Sequence, residues 1–374
     1  MKILHVAESI RGGIATQMIG HWTHQAAVYG VSNVRLVVPE SHVPDLTGVA
    51  ATSIRGFPPA SRTPAGALRH LRTLAAIVRA EAPDVVHAHS AIAGVVVRAL
   101  KIVGACPAPI VYCPHGWAFD RASSGTARRL YRAVEAGLAP WTAAIICISK
   151  HDYRHARECG IGRRRLRLVY NGLPRAPASV PPTPAVGRDD RDADPLRLAF
   201  AGRIDRQKGF DILTDALKRV TRPVHLTVIG DAVLDGHGHD AANDLPHPVA
   251  RMGWLEPPAV AEALAKAEVV VVPSRWEGFG LVAAEALREG TPVIATRRGG
   301  LPEVVAHNVT GWLVDAPDPA ALARAIERLD RASLGSWRAG TRARFARYFT
   351  AEAMAARTMT VYDEVTAGRM NRSV

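Results

Sequence analysis

The sequence has few cysteines and lacks a long apolar run. Its four cysteines, at positions 106, 113, 147 and 159, show no C-x-x-C spacing, so we expect reduced thiols in or near the core. The longest apolar runs, 143–148 and 269–273, are far shorter than the ~20 residues of a membrane-spanning helix, which excludes a membrane-spanning protein. The first eight residues also lack the charged segment and the long apolar segment of a signal peptide. We therefore expect a cytoplasmic protein.

The composition is that of a globular protein with more than one domain. Hydrophobic residues make up 48% of the chain and charged residues 22%, which excludes a disordered or collagen-like chain. A typical domain has ~100 to 200 residues, so a chain of 374 residues is expected to form two domains.

The net charge of +13 indicates a basic surface. The arginines cluster in two segments, with Arg121, Arg128, Arg129 and Arg132 in one and Arg163, Arg164, Arg165 and Arg167 in the other. Such a surface attracts anionic lipid headgroups, nucleic acid or phosphorylated substrates. Charge alone does not choose among these partners, and ordinary solvated arginines explain the pattern equally well.

Short apolar runs alternate with amphipathic stretches of helical length, which is the pattern of βα units around a parallel sheet. Strands are predicted at 2–7, 34–38, 84–88, 109–113, 143–148, 166–169, 196–201, 224–229, 269–272 and 292–295. Helices are predicted at 63–81, 126–138 and 351–367, among others. The sequence therefore predicts an α/β protein.

The alternation stops at 174–195, where six prolines and a charged run predict a linker. The linker separates a first α/β domain at 1–173 from a second at 196–349. The remaining residues, 350–374, are predicted to form a helix that returns to the first domain. In doubly wound sheets, ligands bind at the carboxyl ends of the strands, so functional residues are expected in the loops that follow strands.

The stretch 269–290 combines a buried strand, a glycine-containing loop and a helix. Gly278 and Gly280 allow a ligand to approach the backbone, and the start of the helix attracts an anion, so the loop is predicted to bind a diphosphate. Glu277 in the loop and Glu285 in the helix offer carboxylates to ligand hydroxyls. Without this strand-loop-helix context, a capping acid and a solvated glutamate would be the simpler interpretation.

The E-G-F-G-L sequence at 277–281, followed by Glu285, resembles the signature of the retaining glycosyltransferases of family 4, also called glycosyl transferases group 1, of the bacterial surface-polysaccharide type. The similarity extends over nearly the whole chain. It implies the GT-B fold, in which two Rossmann-like, doubly wound α/β domains face a central cleft. It also implies transfer of a sugar from a nucleotide diphosphate donor with retention of the anomeric configuration.

The resemblance assigns donor-binding residues in the second domain. Glu277 matches the glutamate that contacts the donor sugar near the reacting carbon, and Glu285 matches the one that holds the ribose. The backbone amides that meet the sugar and the phosphates match Gly278, Phe279, Gly280 and Leu281. The base is read by backbone groups around Met252.

The segment AGRIDRQKG at 201–209 contains three cations, two of which match a family motif. Arg203 and Lys208 match the family's basic pair, which grips the donor diphosphate because the leaving group gains negative charge in the transition state. As an isolated pair they would be two surface cations after a strand, but the adjacent glycines and the matching motif favour a functional site.

Two loops of the first domain also match the family. Gly12 and Gly13 resemble its glycine-rich loop, which passes close to the donor phosphate and the acceptor. This loop does not read G-x-G-x-x-G, which argues against a nicotinamide or flavin cofactor. His115, which precedes Gly116, matches the family's His-Gly step beside the donor sugar and is included in the predicted catalytic set, although a lone histidine is more often structural.

No cofactor and no metal ion is predicted. Two groups have the residue types of metal ligands: His87 and His89 on a predicted strand, and His237, His239 and Asp240 in a glycine-rich loop. We expect neither group to bind a metal. Arg203, Lys208 and the helix start at Leu281 are expected to replace the divalent ion that other transferases use to stabilise the leaving diphosphate.

These assignments predict a transferase that moves a hexose-type sugar from a UDP- or GDP-sugar. The expected acceptor is a glycan or a polyprenyl-diphosphate-linked glycan in exopolysaccharide, O-antigen or capsule assembly. A nucleotide-sugar epimerase, a phosphorylase and a non-catalytic nucleotide-sugar-binding scaffold are the alternatives.

The basic first domain is expected to make peripheral contact with an anionic membrane at the inner face of the cell membrane. No nucleic acid partner is predicted. Trp117 and Phe119, beside Arg121, either dip into the membrane interface or are ordinary core aromatics.

Overall fold

The computed structural model describes residues 1–10, 12–58, 63–121, 124–176, 194–232, 244–315 and 317–370. The chain divides into two compact units, one formed by Met1–Pro174 with Thr350–Val374 and the other by Arg175–Phe349. Most of the predicted linker at 174–195 lies outside the described residues. The predicted loop with His237, His239 and Asp240 lies outside them too.

Seven parallel strands form the sheet of the first unit. They are β1 (Ile3–Ala7), β2 (Val34–Pro39), β3 (Ile54–Phe57), β4 (Val85–His89), β5 (Ile110–Cys113), β6 (Ala144–Cys147) and β7 (Leu166–Leu168). Their order in the sheet is β3-β2-β1-β4-β5-β6-β7, so the strand order reverses between β1 and β4. Strands β1, β4, β5 and β6 are buried along their whole length, as expected for parallel strands covered on both faces.

Five helices connect these strands. They are α1 (Gly13–Tyr29), α2 (Pro64–Glu81), α3 (Ala91–Ile102), α4 (Gly125–Leu138) and α5 (Lys150–Glu158). Three of them begin at a hydroxyl side chain that accepts a hydrogen bond from a first-turn amide, namely α2 at Thr63, α4 at Ser124 and α5 at Ser149. These caps explain why the helices begin where they do, because each one satisfies an amide that has no partner within the helix.

The second unit also contains a parallel sheet, which has six strands in the described residues. They are β8 (Leu196–Ala201), β9 (Val224–Ile229), β10 (Val249–Gly253), β11 (Val269–Val272), β12 (Val293–Thr296) and β13 (Gly311–Val314). The order is β10-β9-β8-β11-β12-β13, so the reversal falls between β8 and β11. The helices are α6 (Phe210–Leu217), α7 (Pro257–Lys266), α8 (Leu281–Glu289), α9 (Leu301–Val304), α10 (Pro319–Glu327) and α11 (Arg331–Tyr348).

The last helix, α12 (Ala351–Met370), belongs to the first unit and packs against α1. Gly172, which follows Asn171, lies so close to the Thr350 backbone that a Cβ atom would collide with it. The neighbouring Leu173 forms a parallel bridge with Thr350. The absence of a side chain at Gly172 therefore allows the chain to join α12 to the end of β7.

Two Rossmann-like α/β units confirm the predicted fold class. The predicted strands correspond to strands of the structure, but the prediction missed β3, β10 and β13. All three lie at a sheet edge. An edge strand is less completely buried than a central one, and β10 has no fully buried residue, so its apolar pattern is weak.

The four cysteines are unpaired thiols, as expected. Cys106, Cys113 and Cys147 are buried. Burial raises the pKa of Cys113 to about 12, which makes its thiol unreactive at neutral pH. Among the helices of the described residues, none combines the length and the apolar character needed to cross a membrane.

Candidate active site

The candidate site of the second unit is formed by loops that follow β8 and β11. These two strands are neighbours at the point where the strand order reverses. In open parallel sheets, ligands bind at this point, beyond the carboxyl ends of the strands. The loop after β8 carries Arg203 and Lys208, and the loop after β11 carries Glu277.

Lys208 and Glu277 form an ion pair that joins the two loops. The Lys208 Nζ atom lies 2.7 Å from Glu277 Oε2, and the Ser274 hydroxyl lies 3.4 Å from the same oxygen. The Lys208 side chain is 19% exposed and the Glu277 side chain 11%. Because both charges are largely withdrawn from water, their attraction is stronger than that of a surface pair.

A second set of hydrogen bonds fixes the relative position of these loops. The Gln207 backbone carbonyl accepts from the Arg275 amide at 2.9 Å, and the Gln207 side chain donates to the Trp276 carbonyl at 3.3 Å. Arg275 also makes a bidentate pair with Asp211, at 2.6 and 2.8 Å. The residues that flank Lys208 are therefore tied to the residues that precede Glu277 by backbone and side-chain contacts.

Arg203 is more exposed than Lys208. Its guanidinium lies 3.0 Å from Asp205 and 2.8 Å from the Gln207 amide oxygen, and its side chain is 46% exposed. The pair with Asp205 keeps the guanidinium beside the loop. Since an exposed pair of this kind is weak, a phosphate can replace Asp205 as the partner of Arg203.

Helix α8 begins at Leu281, directly after its N-cap residue Gly280 and shortly after Glu277. Gly280 adopts a φ of 100°, which favours glycine, and a Cβ atom there would collide with Leu301. No side chain caps this helix start. The first-turn amides of α8 and the positive end of its dipole therefore favour an anion beside Glu277.

Glu285 lies in the second turn of α8 and is half-buried. Burial raises the pKa of its carboxyl, and the charges of Arg288 and Lys208 oppose this rise. Gly278 lies in the loop before α8 and Leu281 is the first residue of that helix, whereas the Phe279 ring is buried against Phe349. That ring contact anchors the loop in the core of the second unit.

Sequence analysis missed Gly299 and Gly300, which follow β12. The Gly300 amide donates to the Glu277 carbonyl at 3.2 Å, and a Cβ atom on Gly299 would overlap that same carbonyl oxygen. These glycines therefore allow the loop after β12 to pack against the backbone of the Glu277 loop. The glycine pair directly after a predicted strand is the signal that could have identified them.

Met252 lies near the end of the edge strand β10 and is 47% exposed. β8 is separated from β10 by β9. Met252 therefore lies at one edge of the sheet, two strands away from β8, the strand that precedes the Lys208 loop.

In the first unit, the predicted residues also lie in loops at the carboxyl ends of strands. Gly12 has a φ of 75° and directly precedes α1, and Gly13 is the first residue of that helix. His115 follows β5 with a φ of 53°, which is uncommon for a residue with a side chain. Its Nε2 atom lies 2.8 Å from Nδ1 of His89, and burial lowers the pKa of His115 to about 4.

Sequence comparison identifies the family. The family described as "Glycosyl transferases group 1" matches residues 195–331, and the family described as "Glycosyl transferase 4-like domain" matches residues 12–172. Glycogen synthase of Mycobacterium tuberculosis is 31% identical over 293 residues, which cover 75% of this chain and 68% of the synthase. The chain belongs to the group 1 glycosyl transferases. The prediction of a family 4 enzyme is confirmed.

A second relative of this glycosyltransferase spans nearly the whole chain. It is a Klebsiella pneumoniae protein described as "Uncharacterized 41.2 kDa protein in cps region", 28% identical over 350 residues, or 90% of this chain and 91% of the relative. Among solved structures, Anabaena HepE in complex with UDP-glucose has a TM-score of 0.76 at 20% identity, and each chain is covered completely. This likeness confirms the GT-B fold.

The structure corrects one interpretation of the first unit of this glycosyltransferase. Trp117 and Phe119 are fully buried and stack with ring centroids 5.3 Å apart. The Trp117 indole donates to the Asp152 carbonyl at 2.9 Å. The suggestion that these rings dip into a membrane is therefore wrong, because their hydrophobic surface is already covered by the core.

Two clusters of the described residues have the residue types of a metal site. One consists of His5, His87 and His89, which are buried, and the other of Asp120, His151 and His155, which are half-buried. In each cluster the ligand atoms lie within 4.8 Å of one another. The second cluster contains its own hydrogen bond, between His155 Nδ1 and Asp120 at 2.8 Å.

Proposed function

We propose that this glycosyltransferase moves a hexose-type sugar from a UDP- or GDP-sugar with retention of the anomeric configuration. The acceptor is a glycan or a polyprenyl-diphosphate-linked glycan in the assembly of exopolysaccharide, O-antigen or capsule. The observation that carries the proposal is the Lys208–Glu277 ion pair beside the uncapped start of α8.

Lys208, Arg203 and the start of α8 bind the donor diphosphate in this proposal. Three sources of positive charge converge on the loops after β8 and β11, where the leaving group of a nucleotide sugar gains negative charge. When the diphosphate binds, it replaces Glu277 as the anionic partner of Lys208. Each cation then keeps an anionic partner throughout the reaction.

Glu277 acts on the sugar. Once Lys208 turns to the phosphate, the Glu277 carboxylate accepts hydrogen bonds from sugar hydroxyls and stabilises the positive charge that develops at the anomeric carbon. Ser274 and the Gly300 amide hold the side chain and the backbone of Glu277 in place. Glu285 accepts a hydrogen bond from the ribose, as the resemblance predicts.

The proposed transfer needs no divalent cation. The positive charge of Arg203, Lys208 and the α8 start is available at the leaving group without a metal ion. His115, Gly12 and Gly13 keep their predicted roles near the sugar and the phosphate.

Two relatives support the choice of donor and pathway. Anabaena HepE was solved with UDP-glucose, which favours a UDP-sugar, and the Klebsiella pneumoniae relative is described as lying in a cps region, which favours capsule assembly.

Release of nucleotide by the purified protein tests the proposal. UDP- and GDP-sugars are screened with and without EDTA, first alone and then with lipid-linked acceptors. We expect one sugar nucleotide to release its nucleotide in the presence of EDTA, and proton NMR of the product to show the anomeric configuration of the donor. Conversion of the donor into a second nucleotide sugar without release would support an epimerase, and binding without turnover would support a scaffold.

We also propose that α4 makes the peripheral membrane contact. Four consecutive residues of this helix are exposed, two basic and two apolar, namely Arg128, Arg129, Leu130 and Tyr131. Such a surface binds anionic headgroups through the arginines and the acyl boundary through the apolar side chains. Flotation with phosphatidylglycerol vesicles should recover the protein at low salt, and the variant R128E/R129E should lose this binding. Absence of flotation of the unaltered protein would refute the contact.

A further inference from the structure

A line of hydrogen-bonded histidines crosses the sheet of the first unit and ends at His115. His5 Nε2 lies 2.7 Å from the Gln25 side-chain oxygen, and His5 Nδ1 lies 2.9 Å from His89 Nε2. His89 Nδ1 then lies 2.8 Å from His115 Nε2. The line thus begins on α1, passes through β1 and β4, and ends in the loop after β5.

Each ring in the line is neutral at physiological pH. Burial lowers the pKa of His5 to about 4 and holds the pKa of His89 well below its usual range. A neutral imidazole has one N–H and one lone pair, so each hydrogen bond in the line has a single donor. The direction of the first bond consequently fixes the direction of all the others.

Tyr362 of α12 sets this direction through Gln25. Its hydroxyl lies 2.6 Å from His87 Nδ1 and 3.5 Å from the Gln25 amide nitrogen. The Gln25 NH₂ group donates to that hydroxyl, which leaves the Gln25 side-chain oxygen to accept from His5. His5 then donates from Nε2, His89 donates from Nε2 to His5, and His115 donates from Nε2 to His89.

The spacing fits a hydrogen bond better than a shared metal ion. Two nitrogens bound to a tetrahedral zinc at ~2.05 Å would stand about 3.3 Å apart. The observed 2.9 Å between His5 and His89 is shorter and matches an N–H donor and a nitrogen acceptor.

We propose that Tyr362 and Gln25 are positioning residues that, through His5 and His89, hold His115 in the tautomer protonated at Nε2. The Nδ1 lone pair of His115 then accepts a hydrogen bond from a substrate hydroxyl. The role at the substrate rests on the proposed function, in which His115 lies beside the donor sugar. The tautomer itself depends only on the contacts within the first unit.

NMR of the protein labelled with ¹⁵N-histidine tests the tautomer without any turnover. Long-range proton–nitrogen correlations distinguish the two ring nitrogens, and H115Q identifies the His115 signals. We expect Nε2–H at His115 in the unaltered protein. In Q25L, a donating His5 Nε2 would be buried without an acceptor, so the line should reverse and His115 should carry its proton on Nδ1.

The milder variant Y362F keeps the ring and removes only the hydroxyl. Gln25 then loses the group that fixes its amide, and we expect a mixture of both His115 tautomers. Y29F, on the half-buried Tyr29 of α1, is the matched control and should leave His115 unchanged. The proposal would be overturned by Nδ1–H at His115 in the unaltered protein. It would also be overturned if His115 had the same tautomer in Q25L, Y362F and Y29F.

Kinetics test the consequence at the substrate. Q25L should lower kcat on the order of tenfold or more, because the donor still binds but meets a wrongly protonated ring. Y362F should lower kcat by a smaller factor, set by the fraction of His115 that carries its proton on Nδ1, and the donor KM should change less than twofold in both variants. Unchanged kcat in a variant with a reversed tautomer would refute the role of Nδ1. If the unaltered protein shows no transfer, the proposed function fails, while the tautomer measurement still decides the positioning role.

Discussion

Lys208 Nζ donates to Glu277 Oε2 across 2.7 Å, which brings together two residues that are 69 positions apart in the sequence. One belongs to the loop after β8 and the other to the loop after β11. The pair places a carboxylate and an ammonium group side by side in the candidate site. Both side chains are largely buried, and each is the counter-ion of the other.

Replacement of Lys208 by alanine should lower kcat/KM for the donor by a factor of about 10² to 10³, because the leaving diphosphate loses a cation that acts in the transition state. Glu277 would also lose its partner. Lys218, whose exposed side chain pairs with Asp215 at 3.6 Å, provides the control variant K218A, for which we expect unchanged activity. Equal nucleotide release by K208A and the unaltered protein would contradict the assigned role.

Gly299→Ala should destabilise the second unit and disturb the Glu277 loop. The new Cβ atom would overlap the Glu277 carbonyl oxygen, and the φ of 56° is strained for alanine. We expect a loss of about 2 kcal/mol or more in the free energy of unfolding, together with lower transferase activity. The matched variant is Gly335→Ala on α11, where a Cβ atom meets no neighbour within 4 Å and should add about 0.5–1 kcal/mol of stability. Urea unfolding measures both, and equal effects would contradict this account.

Glu135→Ala should be strongly destabilising, because it leaves a buried guanidinium without its counter-ion. Arg98 is completely buried and pairs with Glu135 at 2.9 Å, while the Tyr112 hydroxyl donates to the same carboxylate at 2.9 Å. The expected loss in the free energy of unfolding is about 3–5 kcal/mol. Glu158, which is 58% exposed and 3.9 Å from Arg132, serves as the control, and E158A should cost at most about 1 kcal/mol. A loss below that control value for E135A would show that the buried pair contributes little.

The free energy of unfolding should fall as the pH decreases from about 6.5 to about 4. Burial lowers the pKa of His5 and of His115 to about 4 from the usual 6.5, and it also lowers the pKa of three neighbours well below their usual range, namely His21, His87 and His89. The unfolded chain therefore binds protons in this range while the folded chain does not, so folding is favoured at higher pH. Each histidine contributes a slope of up to about 1.4 kcal/mol per pH unit.

Urea unfolding at pH 7.5, 6.0 and 5.0 measures this dependence. The variant H21L removes one buried ring, so its slope between pH 6.0 and 5.0 should be smaller than that of the unaltered protein. A free energy of unfolding that stays constant over this range would contradict the assigned neutral state of the cluster.

The central strands could be predicted from the sequence because they are buried on both faces and consist of apolar residues. The run Val269–Val272 is the simplest example. The edge strands β3, β10 and β13 escaped prediction because their contacts are made on one side only. Their place in the sheet is set by pairing with a neighbour, as Gly311 pairs with Val293, and this pairing leaves little trace in the local sequence.

The site could be predicted in part. Glu277, Gly280 and Lys208 stand in motifs next to predicted strands, so their neighbourhood was evident. Gly299 and Gly300 were missed because their role is to make room for the Glu277 backbone, a requirement that exists only after the chain has folded. Trp117 and Phe119 were ambiguous because an aromatic beside an arginine suits a core or an interface equally.

The sequence by itself determined the alternation of strands and helices, the positions of the glycine-rich loops and the residue types of the candidate site, because these depend on local periodicity and on short motifs. Only the tertiary structure decided that Lys208 pairs with Glu277 and that Gln25, His5, His89 and His115 form one line. These contacts join segments separated by tens of residues. They exist because parallel strands distant in the chain lie side by side in the sheet and bring their carboxyl ends to one edge.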